Sequence, residues 1–386
     1  MIKVTQSELS GAIAVINGFA KSPSGSSSNP ALKYVTLQTS SDGKFLVMSA
    51  WDSIKGARWK IPLSEGSYLP LSAIAAADFR DFVVRLPEGG ELELTIVTTG
   101  LQARMGKSRQ VFPCLPDESM SLMPSLDSEA IAAKISPSEL SSAAENCFCF
   151  SDVSGDILEG VLLKWDKTLS EFSGLSSDRG HVTALYTCEC DVLVDMSVIL
   201  PGESLKAIAS ALKKQVKASE IEVRSNNGAI QFDIYSSVVE GELLATFYSR
   251  VLAGEFPAVK KLRDNALKTV TQDIMVSRLG LIERLERVLL VAKKSNDLAE
   301  FHFNQEQLVI KAPPSDHGDA EEEIGISNAN QLSTMFNAKY VLTTLKAIAS
   351  EDVIIGVGTE KTPAFFRPTS GVKCEYLIMP RYIPDT

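Results

Sequence analysis

The sequence predicts an α+β chain of three tandem units, each ordered helix, strands, helix, strands, with two helices packed on antiparallel sheets. Three observations carry the prediction. One helix start recurs at an offset of 131 residues, a second landmark recurs at the same offset, and each helical stretch is followed by short β-rich runs punctuated by turn residues. A period of this kind is weighed before single elements, because each copy is a supersecondary unit. At 386 residues the chain has room for two to three domains of about 150 residues each.

In the first unit, Ser7-Glu8-Leu9-Ser10 opens an apolar-periodic stretch running to Ala20, with a Ser cap and a carboxylate in the first turn. Its apolar part follows Glu8 and has only Lys3 before it, which reads as a helix and not a signal peptide. Ser22 to Pro30, with five Ser and a Gly, reads as a flexible loop. Tyr34–Gln38 and Phe45–Ala50 have strand character and are separated by the turn signal Ser41-Asp42-Gly43. Leu69-Pro70 precedes a helical pattern over Ser72–Val84, and Leu92–Thr98 reads as a strand.

The second unit repeats this plan. Ser138-Glu139-Leu140-Ser141 opens a helix to Phe150, and Leu200-Pro201 precedes a helical pattern over Ser204–Ala218. Strand runs follow at Val161–Trp165, Ile221–Arg224 and Ile230–Ser236, the last two flanking Asn226-Asn227-Gly228. The third copy is looser, with helices over Ser277–Lys294 and Asn337–Ser350, strands at Leu308–Lys311 and Val353–Val357, and an acidic loop over Pro313–Glu323. Pro-containing junctions at Met123-Pro124-Ser125 and Glu255-Phe256-Pro257 place the boundaries, giving units 1–125, 126–256 and 257–386.

Composition excludes several classes. With 45% hydrophobic and 22% charged residues, the chain is too apolar for disorder. No stretch approaches the run of about 18 apolar residues that a membrane-spanning helix needs. Six cysteines without a secretory signal fit a reducing, cytoplasmic setting in which they remain thiols. A net charge of -10 argues against indiscriminate binding to nucleic acid or acidic membranes, so any DNA contact is local.

The charge is uneven. The three units carry 12 basic and 11 acidic, 10 and 20, and 16 and 17 residues in turn. Basic residues concentrate on the predicted helices: Lys206, Lys213 and Lys217 at i, i+7 and i+11, and Arg278, Arg284, Arg287, Lys293 and Lys294 around a stripe of Leu279, Ile282, Leu285 and Leu289. A solvated helix face is the bland alternative for each helix alone.

Enzyme signatures fail. Gly100 to Gly106-Lys107-Ser108 has five residues between its glycines where a phosphate loop has four, and no helix pattern follows. Gly356-Val357-Gly358 lacks the third glycine of a dinucleotide loop and reads as a hairpin turn. Three histidines, His181, His302 and His317, leave few candidates for acid–base chemistry. The pairs Cys147-x-Cys149 and Cys188-x-Cys190 with His181 are the one zinc-enzyme alternative, against which stand their one-residue spacing and the use of Cys as small buried packing at alternate strand positions. The reading is a non-catalytic protein with no cofactor and no metal.

The third unit carries a resemblance. Phe336-Asn337-Ala338-Lys339-Tyr340-Val341-Leu342, Leu345-Lys346-Ala347, Thr362-Pro363-Ala364-Phe365-Phe366-Arg367-Pro368 and Tyr376-Leu377-Ile378-Met379-Pro380 resemble, in order and spacing, the C-terminal domain of the bacterial DNA polymerase III beta subunit family. Gly254-Glu255-Phe256-Pro257 with Lys260-Lys261-Leu262 is similar to that family's segment joining its second and third domains. Leu86-Pro87-Glu88-Gly89, Glu159-Gly160-Val161, and Ser177-Asp178 with Gly180-His181 extend the similarity over the whole chain.

The resemblance implies three DNA-clamp domains per protomer and a head-to-tail homodimeric ring around duplex DNA, acting as a processivity factor in DNA replication. It implies helices lining the hole, with Lys21, Arg80, Lys206, Lys213, Lys217, Arg278 and Arg284 as candidate DNA-facing residues. It implies a hydrophobic pocket for short linear peptides of polymerase, clamp loader and repair proteins, formed by Leu158, Ser177, Gly180, His181, Val182, Pro257, Lys261, Leu262, Leu377, Met379 and Pro380. Ring closure is expected where Leu290 and Val291 meet the partner near Phe112, intramolecular core being the alternative for all three. A clamp-like scaffold that binds peptides without encircling DNA is the other functional reading. Two departures stand out. The family's Asp-Gly-His-Arg-Leu is here Asp178-Arg179-Gly180-His181-Val182, so peptide preference does not carry over; and the chain continues past Met379-Pro380 through Arg381-Tyr382 to Thr386, a tail expected to cover or reshape the pocket rim.

Overall fold

The computed structural model describes residues 1–21, 29–66, 68–148, 150, 156–178, 181–214, 217–315, 318–327, 329–371 and 373–381. The predicted Ser22–Pro30 loop lies outside them but for Asn29 and Pro30. Seven α-helices occur among the described residues: α1 (Gln6–Ile16), α2 (Ala76–Val84), α3 (Pro137–Phe148), α4 (Gly202–Leu212), α5 (Val259–Leu267), α6 (Arg278–Ala292) and α7 (Ala338–Ala347). Six of them, all but α5, begin directly after a strand or, for α3, one residue beyond it, so the unit that repeats is strand then helix, twice per sequence unit.

The caps explain the period. Thr5 Oγ1 accepts from Glu8 N (3.4 Å) at α1 and Ser136 Oγ from Glu139 N (3.2 Å) at α3. These two caps are themselves 131 residues apart and sit two residues ahead of the predicted Ser7 and Ser138. Ser277 and Asn337, the first residues of the two helices that the sequence predicts in its third unit, cap α6 and α7, accepting from Gly280 N and from Lys339 and Tyr340 N. The second landmark is not equivalent in the two units. Leu69-Pro70 precedes the strand Ser72–Ala75, whereas Leu200-Pro201 closes the strand Met196–Pro201, and α2 and α4 start 126 residues apart.

Several elements differ from the sequence reading. Ser72–Ala75 and Ala218–Ser225 are strands, so α2 starts later and α4 ends earlier, leaving Lys213 and Lys217 beyond the helix. The described residues of Pro313–Glu323 are not a loop but parts of the strands Gln307–Ser315 and Gly318–Gly325, in which Lys311 is opposite Glu321. The buried stripe of α6 is Leu281, Leu285, Val288, Leu289 and Ala292; Leu279 is 57% exposed, because at 100° per residue it lies about 120° around the helix from Leu285. Cys147 is on α3, buried against Gly174, and not at a strand position. Gly100–Met105 and Ser108–Phe112 form a hairpin around Gly106, whose φ of 58° suits the turn.

The chain folds as two compact units, residues 1–141, 190–196 and 203–252, and residues 142–189, 197–202 and 253–386. The first holds a five-stranded and a nine-stranded sheet. The nine strands run Asp191–Val192, Ala133–Ile135, Ala218–Ser225, Ala229–Ser236, Leu243–Arg250, Lys55–Pro62, Phe45–Trp51, Tyr34–Thr39 and Ser72–Ala75. The second holds a four-stranded sheet and an eight-stranded one, ordered Met196–Pro201, Gly160–Asp166, Glu171–Asp178, Val182–Glu189, Cys374–Ile378, Ala364–Pro368, Asp352–Val357 and Gln272–Ser277. The middle sequence unit is therefore divided: strands 218–250 continue a sheet begun before residue 125, and strands 160–189 continue one completed after residue 257. Edge pairing satisfies backbone groups that separate sheets would leave open.

The junction near 125 is packed. Met123 and Leu126 are buried with Leu32, Trp51, Ala229 and Tyr248. A Cβ on Gly56 would lie 2.6 Å from Met123 Cγ, so only glycine admits that side chain. The Leu126 amide donates to Gln231 Oε1 (2.7 Å), while Gln231 Nε2 donates to Asp127 (2.8 Å) and to both oxygens of Asp233 (3.0 Å). Asp233 also accepts from Thr246 Oγ1 (3.0 Å) and pairs with Arg224. Burial pushes the Asp233 carboxyl up from the ordinary carboxylate range, and these donors oppose the push.

Candidate partner-binding site

In the second compact unit the antiparallel strands Glu171–Asp178 and Val182–Glu189 meet at a tight turn in which Asp178 is opposite Val182. The His181 amide donates to Asp178 O (2.8 Å), closing the turn. Gly180 lies outside the described residues. Val182–Glu189 also pairs with Cys374–Ile378, and the ladder continues one step further, since the Met379 amide donates to His181 O (2.8 Å). The backbone thus brings His181 beside Met379, which are almost 200 residues apart in sequence.

Helix α7 completes the corner. Asn337 Oδ1 accepts from the Lys339 and Tyr340 amides (3.0 and 3.1 Å), and this cap fixes Tyr340 in the first turn. The Tyr340 ring stacks on His181 at 6.1 Å between centroids and 18° between planes, and its hydroxyl donates to Asp178 Oδ2. His181 Nδ1 lies 3.8 Å from Asp178 Oδ1. The Arg381 amide donates to Met335 O (2.8 Å), holding the chain after Pro380 to the neighbouring strand Leu332–Asn337. A half-exposed imidazole, a phenol and a carboxylate therefore border half-buried Met379 and Pro380. Such a site can seat an apolar side chain and orient it by its rim.

The structure divides the candidate pocket residues in two. His181, Pro257, Lys261, Leu262, Met379 and Pro380 reach the surface, Leu262 at 42% exposure, whereas Leu158, Ser177, Val182 and Leu377 are buried. Leu377 packs with Phe365 of the next strand and Ala266 of α5, so its side chain is strand core. Ser177 Oγ is used inside the sheet, donating to Val182 O (3.1 Å). Tyr340 and Asp178 were missed as site residues. The signal for Tyr340 was present, since an Asn three residues ahead of it is a helix cap; the hairpin partner Asp178 had no such mark.

The basic candidates fall in both compact units. Lys21, Arg80, Lys206, Lys213 and Lys217 belong to the first, Arg278 and Arg284 to the second. Lys213 and Lys217 are exposed, Arg80 pairs with Asp81 (2.7 Å), and Lys206 lies 3.8 Å from Glu203. The two arginines hold structure together. Arg278 donates to Ser350 O (2.6 Å) and Leu345 O (3.2 Å) at the end of α7, and Arg284 to Glu323 O (2.5 Å) and Gly280 O (3.0 Å). Phe112, expected at a subunit contact, is 2% exposed and packs edge-on to Phe79 and Phe82 at 5.3 and 5.8 Å. Its ring is internal core, on a strand that forms the open edge of the five-stranded sheet, while Leu290 is 73% exposed and Val291 half-buried.

Burial pushes the Cys374 thiol up to about 11, so it is protonated at pH 8 and 4% exposed. We expect native protein to leave Cys374 unmodified by iodoacetamide at pH 8 and denatured protein to modify it, read by peptide mass mapping; alkylation of native Cys374 within minutes would contradict its placement.

Comparison with known proteins adds three findings. Residues 268–382 match the family model described as the DNA polymerase III beta subunit, C-terminal domain. Beta sliding clamps of Synechocystis sp. and Rickettsia bellii are 26% and 25% identical, over 97% of this chain and 97% of the first, and 80% and 81% for the second. In fold, the chain is similar over 99% of both lengths to the DNA polymerase III beta subunit of Thermotoga maritima (TM-score 0.84, 20% identity) and to a sliding clamp of Pseudomonas aeruginosa bound to griselimycin (TM-score 0.86, 18% identity).

Proposed function

We propose that this chain, a divergent member of the DNA polymerase III beta subunit family, is a non-catalytic sliding clamp that closes as a head-to-tail homodimer around duplex DNA and tethers partner proteins by short peptides. The observation that carries the reading is the likeness to a named beta sliding clamp over 97% of both chains. In this reading the clamp domains are 1–125, 126–256 and 257–386, and the protein acts in the cytoplasm beside the replicating polymerase.

A clamp holds DNA by topology, so tight binding would defeat sliding. A thin set of cations meeting phosphates, partly through water, suffices, and a net charge of -10 keeps DNA from the rest of the surface. Lys21, Arg80, Lys206, Lys213 and Lys217 are our candidates for these contacts; Arg278 and Arg284 contribute their field while their donors stay with backbone carbonyls. The partner peptide enters at His181, Tyr340, Met379 and Pro380, bordered by Pro257, Lys261 and Leu262.

For ring closure we propose exposed Leu290 on α6 together with the open sheet-edge strands Ser108–Phe112 and Gly318–Gly325. A head-to-tail contact that closes after two copies uses different surfaces on each partner. Light scattering is expected to give twice the 41.8 kDa chain mass. Leu290→Glu is expected to shift this to the single-chain mass with the melting temperature of the fold retained; an unshifted dimer would remove Leu290 from the interface.

The function is tested by loading the protein with a bacterial clamp loader onto nicked circular DNA and then linearising the DNA. Retention on circles and release from linear ends is the expected result. Equal retention on both forms would replace topological linkage with ordinary binding, and failure to load would leave only a peptide-binding scaffold.

A further inference from the structure

On the eight-stranded sheet beside α5 lies a cavity of about 730 Å³ that shares Pro257 with the proposed anchor site. Its floor is two cross-strand rows. Leu162, Leu175 and Leu185 are opposite one another on three consecutive strands, with Glu375 next on the fourth. The adjacent row is Lys164, Ser173 and Thr187, whose amide donates to Lys373 O (3.0 Å). Side chains two apart share a sheet face, so this floor continues the face that carries Ser177 and Met379. Four strands at about 4.8 Å spacing give a span of about 14 Å, the reach of about four extended residues.

The charge is the opposite of the chain's. Five cations line the cavity against Glu171 and Glu375, in a protein of net charge -10. Lys164 is held by Asp166 (3.0 Å), Arg263 by Glu375 (2.6 Å) and Arg367 by Asp273 (2.5 Å). Asp166 and Asp273 do not line the cavity. Lys260 and Lys373 are exposed and make no side-chain hydrogen bond or ion pair among the described residues. Arg367 Nε is buried without a partner. An incoming carboxylate can therefore meet Lys260 and Lys373 without breaking an existing pair.

We propose that this cavity is a second subsite for the partner peptide, taking an extended acidic segment of about four residues that flanks the apolar anchor. The inference rests on the peptide-tethering reading above. The three leucines favour a peptide over a compact anion, because alternating side chains of an extended strand would place apolar groups on the floor and carboxylates at Lys260 and Lys373.

The test measures fluorescence anisotropy of the full chain with a labelled pentapeptide, Ser-Leu-Ser-Leu-Phe, bare or extended at either end by Glu-Val-Glu-Val or by Ala-Val-Ala-Val. The acidic extension is expected to tighten binding about fivefold over the alanine one in low salt, the size of two exposed ion pairs, and to lose the gain in high salt. Lys260→Ala with Lys373→Ala is expected to erase the gain while the bare peptide binds as before and the melting temperature holds. No gain at either end, or a gain that survives both substitutions, overturns the subsite while leaving the anchor site standing. Failure of every peptide to bind overturns the anchor site and the subsite together.

Discussion

Replacing Met379 by Ala is expected to weaken capture of an apolar-anchored peptide about thirtyfold, the cost of losing a central anchor contact worth about 2 kcal/mol, with the melting temperature almost unchanged. Met379 is half-buried, and its ladder bond to His181 O is made by the backbone amide, which survives the substitution. Leu377→Ala is expected to behave in the opposite way. Leu377 is 3% exposed between Phe365 and Ala266, so truncation leaves a cavity and costs about 3 kcal/mol of stability. Peptide affinity of its folded fraction should change little. Denaturant melts and anisotropy titrations on both variants check the pair; a stable Leu377→Ala protein that no longer binds peptide would return Leu377 to the pocket wall.

Asp233→Ala is expected to destabilise the first compact unit by about 3 kcal/mol, the usual cost of stranding one member of a buried ion pair. Asp233 is 3% exposed and satisfies Arg224, Thr246 and Gln231. Its loss leaves a largely buried guanidinium without its closest carboxylate and frees Gln231, which holds the Leu126 amide. Asp233→Asn keeps the shape and one acceptor and should lose less. Equal melting of wild type and Asp233→Ala would mean that Glu222, 3.0 Å from Arg224, carries the pair alone. Amide exchange at Leu126 gives a local readout: it should quicken in Asp233→Ala and more so in Gln231→Ala.

Both predictions separate what was legible in the sequence from what was not. The resemblance grouped Leu377 with Met379, two residues apart on one face of a strand. Only the packing of α5, through Ala266, against Leu377 and Phe365 makes one core and the other surface. Helix α5 itself was missed: it has two buried residues, Val259 and Ala266, among Lys260, Lys261, Arg263 and Asp264, too few to give an apolar period. Similarly, the sequence shows Arg278 and Arg284 on α6 only as candidate DNA-facing cations. Arg278 and Arg284 find their carbonyls 72 and 39 residues away, and no local pattern announces such partners.

By itself the sequence determined where six of the helices begin to within a few residues, the turns at Ser41-Asp42-Gly43 and Asn226-Asn227-Gly228, the 131-residue recurrence of the first helix start and the distribution of charge. These depend on neighbours within a turn of helix or on strand alternation, both written in the local order of residues. Tertiary structure alone decided which strands share a sheet, dividing the middle sequence unit between two compact units through the pairing of Leu243–Arg250 with Lys55–Pro62 and of Val182–Glu189 with Cys374–Ile378. It also brought Asp178, His181, Tyr340 and Met379 to one corner. Strand edges offer the same backbone groups whatever their sequence, so the choice among partners is made by side-chain packing across the whole sheet, which only the folded chain displays.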